Sequence, residues 1–368
     1  MTRIVEGRAA SAVGGLPDVI IHRRTGYDLK RLGSYPAWPW VSRAAAGRMV
    51  CVFREGLRHN HKPPPYLPEQ VMFTDSADEG RTWSPARVLA GSAEEFCRNA
   101  AIGCLPDGSL LLVYGAFRPA SETVAAKAIC SSDGGQTWNE PVTIAQDCGT
   151  RAAPVAISTG DLLVPMYGPA HGDPAEGGQA RPGKVIAARS ADSGRTWEMH
   201  EVPNPESLPE DEWDLCEVEK GRIIGITHFR QQAHGCYFKT ESRDGGRTWD
   251  VPVSTNVAQA DPAIWPGRNG GPPQIDMHGR TPVLTYADHR LLSVSMVATN
   301  DPEMRIWDVD NQLNCYRYPE EISDGGYPCS VAVGKRRRFV VDYEIRAGNK
   351  VDGRWIAGYF LDLPEGWG

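Results

Sequence analysis

The stretch Ser131-Ser-Asp133-Gly-Gly135-Gln-Thr137-Trp138 gives the strongest indication of the fold, because its pattern recurs along the chain. The same S-x-D-x-G-x-T-W pattern occupies residues 76–83, 190–197 and 242–249, and a degenerate copy, one residue longer, occupies residues 299–307. The five tryptophans that end these segments are 55, 59, 52 and 58 residues apart. This period fits one four-stranded sheet with its loops, the size of a propeller blade.

Each copy has the composition of a tight hairpin between two strands. The aspartate carboxylate can accept backbone N–H bonds across the turn, and the glycine can supply a positive φ. The threonine suits the outgoing strand, and the tryptophan is expected to pack between neighbouring sheets. The four aspartates are therefore predicted to hold turns rather than to do chemistry.

Strand-like apolar runs follow glycine-containing turns between the repeats, at residues 109–114, 161–166, 222–226 and 282–286. We expect these runs to be inner strands that end near the propeller axis. Residues 16–21 and 355–361 also have strand character, and their pairing in one blade would close the ring and remove its open edges. The sequence predicts one all-β domain over residues 1–368, a six-bladed β-propeller of four-stranded antiparallel blades, with seven blades as the alternative.

The composition narrows the classes of partner and cofactor. A net charge of −7 argues against nucleic acid, and the one basic run, Lys335-Arg336-Arg337-Arg338, has the pattern of a solvated turn. The nine cysteines show no metal-ligand spacing, so we expect buried reduced thiols and no metal or other cofactor. No apolar run approaches the length of a membrane span, and no signal peptide is evident, which predicts a cytoplasmic protein.

The repeated motif resembles the Asp box, or bacterial neuraminidase repeat, of the sialidase (neuraminidase) superfamily, and the resemblance covers almost the whole chain. It implies a sialidase-like propeller, although Asp-box propellers also include other glycosidases, polysaccharide lyases and non-catalytic proteins. Sialidases hold the carboxylate of their substrate with three arginines and use a tyrosine nucleophile activated by a glutamate. A separate aspartate serves as their acid/base.

Tyr327 is the residue that best matches the family's nucleophile. It lies in Asp324-Gly-Gly-Tyr327-Pro-Cys-Ser330, which resembles the Tyr-x-Ser segment of sialidases. Glu344, in Asp342-Tyr343-Glu344, resembles the family glutamate that braces an arginine. Arg230 and Arg290 resemble the second and third arginines of the family.

The acidic partner of the tyrosine should lie in residues 211–221. Asp214 fits that place best, and Glu217 and Glu212 are rivals. An aspartate there would depart from the family's glutamate.

The first arginine and the acid/base of the family have no clear counterparts. Ser34 stands where the first arginine is expected, and Arg31 is out of register. Arg54 opens a segment that resembles the Arg-Glu-Gly-x-x-His of divergent Asp-box proteins, and it is followed by His59. His59 or His61 could transfer the proton, because histidine suits this role near neutral pH.

Two more arginines and two more histidines complete the set of candidates. Arg98 and Arg151 open further blades and could face the cleft. His228 and His289 lie close in sequence to Arg230 and Arg290.

Three functions are consistent with these residues. The first is a sialidase-like glycoside hydrolase for an anionic, carboxylate-bearing carbohydrate, which is held by the four arginines Arg54, Arg98, Arg230 and Arg290. In this hypothesis Tyr327 acts with Asp214 or Glu217. The second is a polysaccharide lyase in which arginine neutralises a uronate carboxylate and histidine or tyrosine removes the α-proton. The third is a non-catalytic glycan-binding propeller.

Overall fold

The structure is a computed structural model, and it describes residues 17–24, 35–44, 47–57, 59, 68–168, 184–204, 210–229, 235–258, 271–288, 293–318, 322–346 and 353–367. These residues form six antiparallel sheets and one short 3-10 helix, Val309–Asn311. Each sheet has four strand positions, so the prediction of a six-bladed all-β propeller is confirmed.

The strands are numbered in chain order, and successive blades take successive groups of them. Blade 1 consists of β2 (Tyr35–Arg43), β3 (Met49–Gly56), β4 (Gln70–Ser76) and β5 (Arg87–Ala90). Blade 2 consists of β6 (Phe96–Cys104), β7 (Leu110–Arg118), β8 (Thr123–Ser131) and β9 (Val142–Gln146). Blade 3 consists of β10 (Gly149–Thr150), β11 (Val155–Ala156), β12 (Leu162–Gly168), β13 (Lys184–Ser190) and β14 (Glu198–Glu201). Blade 4 consists of β15 (Glu210–Glu219), β16 (Arg222–Phe229), β17 (Cys236–Ser242) and β18 (Val253–Ala258). Blade 5 consists of β19 (Gln274–His278), β20 (Thr281–Asp288), β21 (Ser293–Ala298) and β22 (Leu313–Arg317). Blade 6 consists of β23 (Ile322–Gly325), β24 (Cys329–Gly334), β25 (Arg337–Arg346), β26 (Gly353–Asp362) and β1 (Val19–Arg24).

The two ends of the described chain meet in blade 6. Strand β1 pairs antiparallel with β26, and Ile20 lies opposite Ala357. The outermost strand of the last blade therefore comes from the start of the sequence. The predicted closure of the ring by a shared blade is confirmed.

The four Asp boxes connect the third and fourth strands of blades 1 to 4. In blade 2, the Asp133 carboxylate accepts hydrogen bonds from the Thr137 backbone N–H at 2.9 Å and from the Ser131 hydroxyl at 2.7 Å. A hydrogen bond from the Thr137 hydroxyl, together with these two, stabilises the ionised form and holds the pKa of Asp133 well below its usual range. The aspartates hold turns, as the sequence predicts.

The boxed tryptophans of blades 1 and 2 each pack on an aromatic ring of the preceding blade. Trp138 of blade 2 lies 6.0 Å from Phe73 of blade 1, and Trp83 of blade 1 lies 6.0 Å from Phe339 of blade 6. Gly135 has a φ of +91°, and a Cβ there would lie 2.7 Å from the Phe73 ring. Glycine is needed for both the turn and the close approach of the blades.

The degenerate fifth box has the same architecture. Asp301 accepts the backbone N–H groups of Arg305 and Ile306, and the Trp307 indole donates to the Met304 carbonyl at 3.2 Å. Met304 takes the glycine position with a φ of +51°. The extra residue is accommodated between the aspartate and this position.

Two details differ from the sequence predictions. The runs that we expected to be inner strands form the second strand of each blade, β7, β12, β16 and β20, and the innermost position is taken by the strand before each. The basic run over residues 335–338 is not wholly solvated, because Arg338 is fully buried and forms an ion pair with Asp276. Strand periodicity alternates sides, so a basic run can send one member into the core.

All nine cysteines are free thiols, five of them buried and four partly buried. No helix among the described residues is long and apolar enough to cross a membrane.

Candidate active site

The candidate site lies where the first strands of the blades begin and the second strands end, opposite the Asp boxes. Near this end, five of the six innermost strands are interrupted soon after they start. The register shifts or breaks fall between Ala37 and Trp40, Arg98 and Ala101, Thr150 and Val155, Glu210 and Trp213, and Gly325 and Cys329. Such bulges re-aim side chains that would otherwise point between blades. The interruptions carry several of the candidate residues.

Trp38 is the centre of the site. Its φ of +56° is unusual for a bulky residue and marks the bulge in β2. The Arg54 and Arg98 guanidinium carbons lie 4.6 and 4.8 Å from its ring centroid. The His59 ring packs edge-on against it with a centroid distance of 5.2 Å, and the Tyr327 ring lies 6.0 Å away. One indole therefore brings together four residues that the sequence marked as candidates.

Glu69 neutralises part of the positive charge around Trp38. Its carboxylate forms an ion pair with Arg54, and the Arg98 Nε lies 3.7 Å from its second oxygen. Cation–π contacts contribute about 0.5–2 kcal/mol each, less than the several kcal/mol that a buried charge costs, so the carboxylate is needed. Burial lowers the pKa of Arg54 to about 10, against the opposing effect of Glu69, and the guanidinium stays charged at neutral pH.

The two arginines differ in their access to solvent. The side chain of Arg54 is 1% exposed and that of Glu69 is fully buried, whereas that of Arg98 is 23% exposed. Arg98 is the cation of this group that an incoming ligand would meet. Arg54 and Glu69 lie behind it.

Tyr327 lies in the break between β23 and β24 and is half-buried. Its backbone N–H donates to the Asp342 carboxylate at 2.9 Å. Its ring lies 6.1 Å from that of Tyr343, and the Arg151 guanidinium carbon lies 5.1 Å from its centroid. The phenol is therefore surrounded by aromatic rings and by a cation.

Asp342 is a buried carboxylate that supports the Tyr327 segment. It also accepts hydrogen bonds from the Tyr318 hydroxyl and from the Gly326 N–H at 3.3 Å. Burial raises the pKa of Asp342 to about 7, and the nearby Glu344 carboxylate adds to this, while the hydrogen bonds act in the opposite direction. The group titrates near neutral pH directly behind Tyr327.

His59 is half-buried beside Tyr35. The Tyr35 hydroxyl lies 3.4 Å from His59 Nδ1. The Arg54 guanidinium carbon lies 5.6 Å from the Tyr35 ring, so this pair borders the same cluster. His59 is an acid/base candidate that the structure brings to the site, and His61 lies outside the described residues.

The structure separates the three carboxylates that the sequence offered as partners of Tyr327. Glu217 accepts the N–H groups of Ser158 and Gly221 at the Asp-box end, and the structure does not bring it to the site. Asp214 is buried in the middle of β15, where its oxygens accept the N–H groups of Leu215 and Ile275. Burial raises the pKa of Asp214 well above its usual value.

Glu212 lies closest to the site end of β15 among these three. It is buried, and its backbone carbonyl is 2.9 Å from Nδ1 of His228, which is itself buried at the end of β16. This places His228 in blade 4. Glu344 is buried in blade 6 and accepts a 2.8 Å hydrogen bond from the Tyr359 hydroxyl.

Three predicted residues, Arg230, Arg290 and His289, lie outside the described residues. Two residues of the cluster, Trp38 and Glu69, were not among the sequence candidates. A signal for Trp38 existed in Pro36-Ala-Trp38-Pro39-Trp40, where prolines interrupt an apolar strand. Glu69 carried no motif. In the part of the chain that the structure describes, no three or more His, Cys, Asp or Glu side chains form a group that could hold a metal ion.

Comparison with known proteins gives one family and a set of similar structures. Residues 69–325 match the model of the BNR repeat-like domain. A protein of unknown function from Dyadobacter fermentans is 19% identical with a TM-score of 0.73, over 94% of this chain and 98% of that one. The Hadza microbial sialidase Hz136 is 17% identical with a TM-score of 0.64, over 90% of this chain and 66% of that one.

A variant of the NanB sialidase from Streptococcus pneumoniae is 11% identical with a TM-score of 0.68, over 93% of this chain and 70% of that one. A sequence comparison with curated proteins gave no match. The structural likenesses establish a sialidase-like six-bladed propeller fold.

Proposed function

Because the chain belongs to the BNR repeat-like domain family, we propose that it is a sialidase-like glycoside hydrolase that acts on an anionic, carboxylate-bearing sugar or glycan. The observation that carries this proposal is the convergence of Arg54, Arg98 and Arg151, from three different blades, on the neighbouring rings of Trp38 and the half-buried Tyr327. The sialidases among the similar structures agree with this assignment.

The charges in the cluster favour an anionic ligand. Arg54 and Arg98 share one carboxylate, that of Glu69, and Arg151 lies near Asp214, whose pKa burial raises well above its usual value. The chain as a whole is acidic, with a net charge of −7, so this excess of positive charge is local. Arginine binds carboxylates through paired, charge-assisted hydrogen bonds. We assign the first contact to the partly exposed Arg98, and Arg230 and Arg290 would complete the carboxylate site.

The proposed reaction uses Tyr327 and His59. The Tyr327 phenol gives its proton to Glu212, and the phenolate oxygen bonds to the anomeric carbon as the bond to the leaving oxygen breaks. His59 donates a proton to that oxygen. Water then adds to the anomeric carbon and gives a proton to His59, while Tyr327 leaves as the phenolate and takes its proton back from Glu212.

Within this proposal, Glu212 takes the role first given to Asp214 or Glu217. The oxygens of Asp214 are already engaged by backbone N–H groups, and those of Glu217 hold a turn at the opposite end. His228 and Glu344 are proposed to support the substrate arginines that follow β16 and β20.

The test compares fluorogenic glycosides of a sialic acid, a hexuronic acid and a neutral hexose. We expect turnover only of a carboxylate-bearing glycoside, and loss of turnover with retained binding in Tyr327→Phe. Arg98→Met should lower kcat/KM by about 10- to 100-fold, because a charge-assisted hydrogen bond is lost. Arg118→Met is the matched control, since Arg118 lies in the same blade and pairs with Glu95 at 2.8 Å. Equal turnover of the neutral glycoside, or equal effects of the two arginine variants, would contradict the proposal.

The His59–Tyr35 pair supports a second candidate, a uronate lyase. A histidine and a tyrosine within 3.4 Å of each other, beside an arginine, are the groups that α-proton removal needs. A lyase would release an unsaturated uronate with a new ultraviolet absorbance, whereas a hydrolase would not. Binding of the acidic glycosides with neither product would identify a glycan-binding propeller.

A further inference from the structure

Arg151 crosses the propeller axis. It lies in blade 3, between β10 and β11, and its Nη2 donates to the Pro39 carbonyl of blade 1 and the Tyr327 carbonyl of blade 6, each at 3.4 Å. Its guanidinium carbon lies 5.1 Å from the Tyr327 ring centroid and 5.5 Å from that of Trp40. Only 2% of the residue is exposed. One side chain thus connects three blades.

No carboxylate among the described residues forms a hydrogen bond with Arg151. Its Nε and Nη1 are buried, and neither has a hydrogen-bond partner in the part of the chain that the structure describes. Asp214 is near enough to interact electrostatically, but its oxygens accept the N–H groups of Leu215 and Ile275. An uncompensated buried cation destabilises a fold, so packing alone gives no reason for an arginine here. A role of Arg151 at the site provides such a reason.

Tyr327 is held from several directions. Asp342 accepts its N–H, Arg151 donates to its carbonyl, and its ring lies between the Arg151 guanidinium and the rings of Trp38 and Tyr343. Among the described residues, the charged or titratable side chains near it, directly or through Trp38, include those of Asp342, Tyr343, Arg54, Arg98, Glu69 and His59.

Arg54 and Arg98 share Glu69, so much of their charge is offset. Arg151 forms no ion pair with a carboxylate of the described residues, and its guanidinium lies over the Tyr327 ring.

We propose that Arg151 is a positioning residue for Tyr327, which fixes the ring across the axis and electrostatically favours its phenolate form. The inference rests on the proposed function, in which Tyr327 attacks the sugar. No bond to Arg151 forms or breaks. The affected step is the transfer of the phenol proton to its acceptor, because an opposite charge about 5 Å from the ring centroid favours the ionised group.

The experiment measures the ionisation of Tyr327 without requiring a substrate. The phenolate absorbance of each protein is followed with pH, and the same titration of its Tyr327→Phe counterpart is subtracted. Arg151→Gln removes the charge but keeps an N–H donor for the two carbonyls, and Arg151→Lys keeps the charge. Arg87→Met is the matched control, because its guanidinium carbon lies 4.7 Å over Phe73, away from the axis.

We expect ionisation of Tyr327 to move upward by about one pH unit or more in Arg151→Gln. The ionisation of Tyr327 in Arg151→Lys should occur at a pH closer to that of the unmodified protein, and in Arg87→Met it should occur at the same pH as in the unmodified protein. With a substrate that the protein hydrolyses, kcat should fall in Arg151→Gln while KM stays the same. The pH profile of kcat should show the same shift to higher pH as the titration of Tyr327. An unchanged titration in Arg151→Gln, or an equal shift in Arg87→Met, overturns the inference. A shifted titration in a protein without turnover supports the role of Arg151 and refutes the hydrolase.

Discussion

Replacement of Asp342 by asparagine should change how the stability of the protein depends on pH. The carboxyl is fully buried and accepts hydrogen bonds from Tyr318, Gly326 and Tyr327. Its pKa rises from the ordinary 3.8 to about 7 in the folded chain, chiefly because burial disfavours the charged form. Asparagine has nearly the same shape and does not titrate.

The size of the effect follows from the difference between the two pKa values. Between pH 3.8 and about 7, the unfolded chain has lost the Asp342 proton while the folded chain retains it. The stability that this group contributes is therefore complete below pH 3.8 and is lost as the pH rises through 7. A difference of about three pH units corresponds to about 4 kcal/mol. From pH 4 to pH 8, the free energy of unfolding of Asp342→Asn should therefore rise relative to that of the unmodified protein by up to about 4 kcal/mol.

Urea unfolding at a series of pH values measures this difference directly. Asp107→Asn is a control of opposite sign, because hydrogen bonds from Ser109 lower the pKa of Asp107, and its stabilisation is lost as the pH falls. If the free energies of unfolding of Asp342→Asn and the unmodified protein stay parallel from pH 4 to pH 8, burial does not control this carboxyl. The account of the segment behind Tyr327 would then be wrong.

Three further predictions concern the cluster, the repeats and the thiols. Glu69→Gln leaves two guanidinium groups without their carboxylate and should cost about 3–5 kcal/mol in urea unfolding, whereas the exposed Glu94→Gln should cost little. Asp133→Ala removes the hydrogen bonds that close its hairpin, so the melting temperature should fall while ligand affinity, measured by calorimetry, stays the same. Burial raises the pKa of Cys315 and Cys329 to about 12, so iodoacetamide should modify both only after unfolding; mass spectrometry of the native protein showing either one labelled would refute this.

Local sequence predicted much of the fold because the Asp box is a local structure. The hydrogen bonds that close its turn join residues within a few positions, as Asp133 and Thr137 show, and the period of its repetition, set against the length of the chain, predicts six blades. The same reasoning did not foresee Met304 in the glycine position, since an extra residue changes where the positive φ falls.

The site was less predictable because it is assembled across blades. Trp38, Arg54, Glu69 and Arg98 meet only after two blades have formed, and no spacing in the sequence marks that contact. The carboxylates of β15 show a second reason. A register shift after Glu210 decides how deep each one lies, and a bulge of this kind leaves no clear sequence signature.

The shared sheet of blade 6 has a consequence for synthesis on the ribosome. Of the described strands, β1 is synthesised first and its partner β26 last, so the backbone groups of β1 stay unpaired while the other strands are made. Contacts this distant in sequence form slowly, because a long loop must close before they contribute. The nascent chain would therefore accumulate as an open arc with an unpaired edge at each end, which is the stage at which a chaperone would be needed.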